Sequence, residues 1–259
     1  MSRPRLGVFK FASCDGCQLT LLDCEDELLA VDAAVDIAYF PEARRLALQG
    51  QFDVSIVEGS VSAPAQLEEL LDIRKRSRFL VSIGACATAG GVQALRNLAD
   101  SDEFIRAVYA TPDYIRTLAT STPIAAHVPV DFQLRGCPIS KAHLLELIVS
   151  LLRGRRPQLP DESVCVECKR RGIVCVMVAR GEPCLGPVTH GGCGALCPDF
   201  RRACYGCFGP KESCNTKALA ARLRAQDRTG EQVAQLFEKF NVGSRPFKDE
   251  AARQRGDRS

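Results

Sequence analysis

Twelve of the fourteen cysteines in this 259-residue chain sort into three sets of four, and that pattern restricts the fold more than any other feature of the sequence. The first set is dispersed: Cys14-x-x-Cys17 near the start, Cys86 within Gly84-Ala-Cys-Ala, and Cys137 within Arg135-Gly-Cys-Pro. Only a folded domain can bring such distant residues to one place. The other two sets lie back to back, as Cys165-x-x-Cys168, Cys175, Cys184 and then Cys193-x-x-x-Cys197, Cys204-x-x-Cys207. Four thiolates are the ligand complement of a [4Fe–4S] cluster, and three such sites in one chain read as a path for electrons.

Each set has a competing explanation. Cys-x-x-Cys alone also serves zinc and thiol redox chemistry. For the first set, Gly-Ala-Cys86 and Gly-Cys137-Pro stand at similar edges of the same predicted sheet, which favours a shared cluster over a redox dithiol. For the second and third sets the competitor is a pair of closed tetrahedral zinc sites. The intervals of seven, nine and nine residues between Cys168, Cys175, Cys184 and Cys193 lack the regularity of zinc ribbons. Gly191-Gly-Cys-Gly also leaves backbone room for a larger inorganic core. Cys24 and Cys214 are left over. Cys24, on a helical stretch with Leu21 and Leu28, reads as a buried inert thiol, and Cys214 as a spare or a substitute ligand. Glu58 ends a predicted strand at the first site, where it can move protons, hydrogen-bond the cysteine-bearing backbone, or be a plain strand-end carboxylate. His127, His143 and His190 follow no ligand pattern, and only His190, near Cys193, is expected close to a cluster, as a hydrogen-bond donor.

The formal charge of +3 counts every thiol as neutral. Each oxidised cluster with four thiolates adds about −2, so three add about −6 and the loaded chain sits at about −3. Lys and Arg form no basic stripe with interleaved aromatics, which argues against nucleic acid as a partner. The longest apolar run, Leu144 to Leu152, is interrupted by Glu146 and Ser150 and falls short of a membrane span. A removable leader does not fit ahead of Cys14, and cysteines at metal-site spacing imply a reducing cytoplasm rather than an oxidising compartment.

Residues 5–11 predict a first strand, and Leu19 to Leu29 has the apolar spacing of a helix. Further strands are expected at Val35–Phe40, Phe52–Val57 and Phe79–Ile83, and helices at Pro64–Arg76, Asp102–Ala110 and Ser140–Leu152. The alternation implies an α/β fold, a flavodoxin-like, mostly parallel sheet, with the first cysteine set at its carboxyl edge where open sheets of this type bind ligands. Helix starts near Asp15 and Ser140 would aim positive dipole ends at an anionic cluster. Gly154, Pro157 and Pro160 mark a boundary. Three regions follow: residues 1–153 as the α/β domain, 154–214 as a small cysteine-rich iron–sulfur module, and 215–259 as a helical tail. The module has too few large apolar residues for a core of its own, so metal centres would have to hold it together. Helices are expected at Thr216–Gln226 and Gln232–Phe240, packed on the module or on a partner, and the polar stretch Lys248–Ser259 is expected to fray.

Ser13-Cys-Asp-Gly-Cys-Gln-Leu, Val57-Glu-Gly, Gly84-Ala-Cys86-Ala, Gly136-Cys-Pro and Cys184-Leu-Gly-Pro-Val-Thr-His-Gly-Gly-Cys-Gly-Ala-Leu-Cys-Pro together resemble the small subunit of [NiFe] hydrogenases, over residues 5 to 240. The nearest type is the cytoplasmic, NADP-linked or sulfhydrogenase delta form. The resemblance implies three [4Fe–4S] clusters: a proximal one on Cys14, Cys17, Cys86 and Cys137, a medial one on Cys193, Cys197, Cys204 and Cys207, and a distal one on Cys165, Cys168, Cys175 and Cys184. Cys165 stands where exported relatives have a histidine, and Cys197 supplies a fourth thiolate where many have proline and a [3Fe–4S] centre. The implied partners are a nickel–iron large subunit, a flavin- and NAD(P)-binding diaphorase subunit and a further iron–sulfur subunit. The same proximal-site fold occurs in a respiratory complex I subunit, which lacks the second and third sets, whereas coenzyme-F420- and heterodisulfide-linked relatives keep a similar series. Two other readings remain open from sequence: a zinc-stabilised interaction module, and a ferredoxin-like carrier whose partner has lost nickel.

Overall fold

The computed structural model describes residues 3–43, 45 and 50–256 and separates into two compact units, Met1–Gln158 and Leu159–Ser259. The first unit is built on five strands, β1 (Arg5–Lys10), β2 (Asp36–Tyr39), β3 (Phe52–Glu58), β4 (Ser77–Ile83) and β5 (Phe132–Leu134), all parallel in the order β2-β1-β3-β4-β5. That is the flavodoxin-like order expected from sequence. Parallel neighbours need crossover connections, which helices supply. Those helices are α1 (Gly16–Leu22), α2 (Asp26–Ala34), α3 (Pro64–Arg76), α4 (Gly84–Ala89), α5 (Ser101–Val108) and α6 (Lys141–Leu152).

The strands are apolar because both faces are covered: Val8, Ile56, Val57, Leu80, Val81 and Ile83 are fully buried. On one side α3 lays Leu70 and Ile73 into a cluster with Phe9, Val57 and Leu80. Its start follows from local chemistry, since Pro64 occupies the first turn and Gln66 Oε1 accepts the Ser62 and Ala63 N–H groups. Arg74, Lys75 and Arg76 close its last turn, where the dipole favours cations. The predicted single helix over Leu19–Leu29 is two helices, because the chain breaks at residues 23–25 with Glu25 at φ 42°. The side chain of Leu28 lies outside the description. The strand β5 is only three residues long, too short for a periodic signal.

The second unit carries α7 (Val164–Arg170), α8 (Val176–Arg180), α9 (Leu196–Asp199), α10 (Thr216–Arg224), α11 (Gly230–Phe237) and α12 (Arg245–Gly256). Two expectations change here. The cysteine-rich segment does share an apolar core, in which Leu185 and Val188 pack with Leu219, Leu223, Val233, Phe237 and Phe247 from the C-terminal helices. The stretch expected to fray is helical to Gly256, with Phe247, Glu250, Ala251 and Gln254 buried. The buried Glu250 accepts hydrogen bonds from Thr216 Oγ1 at 3.0 Å and Gln254 Nε2 at 2.9 Å, so α12 is tied to α10 by polar as well as apolar contacts. Residues 257–259 of that prediction lie outside the described residues. Among the described residues, no helix is long and apolar enough to cross a membrane.

Candidate metal centres

The first cysteine set is assembled by the carboxyl ends of β1, β3, β4 and β5. Cys14 and Cys17 follow β1, Cys86 sits in α4 directly after β4, and Cys137 follows β5 and precedes α6. The loops are tied together. Ala12 and Ser60 exchange backbone bonds of 3.2 and 2.9 Å, joining the turns after β1 and β3, and Ala85 N–H donates to Gly136 O at 2.7 Å, joining the Cys86 and Cys137 turns. Glu58, 2% exposed, accepts from Cys17 N–H at 3.1 Å and from Gln18 N–H at 3.3 Å, which fixes the first turn of α1 to the end of β3. Burial raises the Glu58 carboxyl above the usual range, against the pull of those two N–H groups.

The four sulfurs sense one another. Burial pushes the Cys86 thiol up to about 11, with Cys137 and Cys14 adding to the shift, and raises Cys137 beside Cys14 and Glu58. Burial, followed by Glu58, raises Cys17 further, while the Ile139 N–H opposes it. Gly84 makes the approach feasible: it sits at φ +82°, and a Cβ there would lie 2.5 Å from Cys17 Sγ. Cys86 Sγ also lies 3.2 Å from Gln93 Oε1.

In the second unit Cys165 and Cys168 lie on α7, Cys175 at the start of α8, and Cys184 in the following loop. Burial raises Cys165 and Cys168 each to about 11; Cys184, then Cys168 and Cys175, add to the first, and Cys184, Cys175 and Cys193 to the second. Gly186 provides the space here, since a Cβ would stand 3.3 Å from Cys184 Sγ and 3.5 Å from Cys165 Sγ. Cys184 Sγ accepts from Gly186 N–H at 3.4 Å and from Cys204 N–H at 3.2 Å, so the second set touches the third directly. In the third set, burial raises both Cys193 and Cys204. The N–H groups of Leu196 and Ala195 oppose the shift at Cys193, next to Cys197, and Gly206 N–H and Thr189 oppose it at Cys204, next to Cys207.

Cys17, Cys184 and Cys204 are buried, Cys14 and Cys175 are exposed and the rest are half-buried. A buried thiol is a poor nucleophile but a good ligand once a cation displaces its proton, and inward N–H groups suit an anionic cluster. The candidate donors are all cysteine sulfurs, the usual ligands of iron–sulfur centres. Among the described residues, no three His, Cys, Asp or Glu side chains converge tightly enough for a single metal ion. A cuboid core with one thiolate per iron holds its sulfurs further apart than one ion does.

The remaining candidates fall outside these sets. Cys24 is fully buried and its Sγ donates to Thr20 O at 3.4 Å; Cys214 packs against the core of the C-terminal helices. His190 is 2.9 Å from Gly191 O through Nδ1 and reaches Gly209 O through its backbone N–H. One group escaped the sequence reading: Glu167, inside Cys165-x-x-Cys168, whose carboxylate accepts the N–H groups of Gly192, Gly194 and Ala195. A carboxylate between two thiolates is a repulsive arrangement, and that was the available signal.

The family model described as NADH ubiquinone oxidoreductase, 20 Kd subunit, matches residues 14–151, which hold the whole first set. The chain is 38% identical over 220 residues to the delta subunit of sulfhydrogenase 2 of Pyrococcus furiosus, covering 85% of this chain and 92% of that one. It is 27% identical over 180 residues to the delta subunit of the NAD-reducing hydrogenase of Cupriavidus necator, covering 61% of this chain and 82% of that one. Among solved structures, a chain of an NAD+-reducing [NiFe]-hydrogenase in the H2-reduced state superposes with a TM-score of 0.57 at 29% identity, over 61% of this chain and 96% of that one. A [NiFeSe] hydrogenase chain of Desulfovibrio vulgaris shares the fold over 82% of this chain and 95% of its own, with a TM-score of 0.55 at 15% identity. Sheet order, cysteine placement and these likenesses agree: the chain belongs to the NADH ubiquinone oxidoreductase 20 Kd subunit family, among its [NiFe] hydrogenase small subunits.

Proposed function

We propose that this chain carries electrons between a nickel–iron centre in a large partner subunit, where H2 is split or formed, and a flavin- and NADP-binding subunit. What supports this most is the sequence spacing of twelve cysteines in three sets of four, each set with one buried thiol, Cys17, Cys184 or Cys204, and with glycines that leave space beside the sulfurs of the first two. In this reading Cys14, Cys17, Cys86 and Cys137 hold the proximal [4Fe–4S] cluster. Cys193, Cys197, Cys204 and Cys207 hold the medial cluster, and Cys165, Cys168, Cys175 and Cys184 the distal one. When bound, each cluster supplies a one-electron redox step.

The chain's own residues do the rest. Glu58 clamps the turn bearing Cys17, and the N–H groups of Ile139, Gly186, Cys204, Leu196 and Ala195 favour the charged form of the sulfurs they face. A relative from Methanococcus voltae named as the gamma subunit of a coenzyme F420 hydrogenase is 26% identical over 72% of this chain, and it supports a second reading in which the final acceptor is coenzyme F420.

The test is the iron, acid-labile sulfide, zinc and nickel content of the anaerobically purified protein with its co-purifying partners. The expected outcome is about twelve iron and twelve sulfide per chain, with nickel only where a large partner is present. About two zinc and no sulfide would leave a structural module instead.

A further inference from the structure

The helix α7 carries two cysteines of the second set, and between them Glu167 reaches across to the loop that carries the third. Glu167 Oε1 accepts from Gly192 N–H at 2.7 Å and from Gly194 N–H at 3.2 Å, while Oε2 accepts from Ala195 N–H at 3.0 Å. Cys193 Sγ lies 3.8 Å from the same Oε2. Three backbone donors on one carboxylate form an anion-holding nest, and here the anion is a side chain of the protein. Gly191 lies alongside, where a Cβ would stand 3.1 Å from the Glu162 carbonyl oxygen and in ordinary contact with the Glu167 carboxyl carbon at 3.4 Å. One turn further on, Arg171 adds a second strut, donating to Gly194 O and pairing with Asp199 at 2.6 Å. The place of Glu167 in the chain between Cys165 and Cys168 and its contact with Cys193 set one carboxylate beside both cysteine sets.

We propose that Glu167 is a positioning residue that locks the second and third cysteine sets into one frame, and that its fixed negative charge holds down the reduction potentials of the clusters on both. The inference rests on the cluster reading above. Adding an electron to an anionic cluster costs more beside a fixed negative charge, so removing that charge makes reduction easier. The N–H groups of Gly192 and Gly194 turn toward Glu167, and that of Ala195 is shared between Glu167 and Cys193, a set of donors that the neutral amide of Glu167→Gln only partly satisfies.

Potentiometric titration monitored by electron paramagnetic resonance, on the full chain with its co-purifying partners, reads the effect directly. Glu167→Gln is expected to keep its iron and to raise the potential of at least one second-unit cluster by a tenfold shift in its redox equilibrium, about 59 mV for a one-electron couple. The cluster of the first set should not move. Glu167→Asp keeps the charge and is expected to stay within twofold of the wild-type equilibrium. Full iron with unchanged potentials in Glu167→Gln overturns the proposal, and so does an equal shift in both variants. If Glu167→Gln loses iron, retention by Glu167→Asp supports the carboxylate's role, whereas equal loss from both marks a packing fault and overturns it. Wild-type protein without sulfide would instead defeat the cluster reading itself, a distinct outcome.

Discussion

Gly84 holds a position that no other residue can take without displacing a sulfur. Its φ of +82° is a left-handed conformation, and a methyl there would press on Cys17 Sγ at 2.5 Å. Gly84→Ala therefore combines backbone strain of about 1–3 kcal/mol with loss of a ligand position. The expected result is a lower unfolding midpoint and, on the proposed three-cluster loading, the loss of about four irons per chain by iron assay, with the second-unit sites still loaded. The thiols themselves were legible in the sequence, because ligand type and spacing are local properties. Their polar partners were legible only in part: Glu58 was placed at the first site with backbone hydrogen bonding as one of its possible roles, which the Cys17 and Gln18 N–H groups bear out, whereas the reach of Glu167 to Gly192, Gly194 and Ala195, 25 to 28 residues on, was not readable. The expectation that Cys24 is a buried thiol holds, since it is fully buried.

Elements with strong local signals were read accurately. The helix α3 runs from Pro64 to Arg76 as expected, since a first-turn proline and a basic last turn mark both ends. The α1–α2 break was hidden, because apolar spacing continues through Asp23, Cys24 and Glu25 while the backbone turns at Glu25. The helix α12 was missed for a different reason: its mean composition is polar, yet a single face buries Phe247 and Ala251. Phe247 is 1% exposed and meets the Phe237 ring edge-on at 5.4 Å between centroids. Phe247→Ala is expected to cost about 3–5 kcal/mol in guanidinium unfolding of the second unit, as for other buried aromatics. A change below about 1 kcal/mol would show that α12 contributes little.

At the scale of the whole molecule, the two units are held by different means. The sheet of residues 1–158 rests on buried aliphatic and aromatic side chains, whereas around the second and third sets the cysteines are themselves part of the packing, with Cys184 and Cys204 beside Val164, Val176 and Ala203. Removal of iron is therefore expected to raise amide hydrogen exchange between residues 165 and 207 while β3 and β4 stay protected, a contrast that mass spectrometry resolves. Uniform loss of protection would mean that the sheet also depends on its metal. The sequence by itself determined the cysteine sets, the alternation of strands and helices and, through its motifs, the family, because ligand spacing and apolar periodicity are written along the chain. Only the tertiary structure decided that α10–α12 complete the core of the cysteine-rich unit and that Glu58 and Glu167 cap the backbone around the thiols. A carboxylate beside sulfur is tolerable only where folded backbone supplies the N–H donors, and no run of residues reveals where distant donors will point.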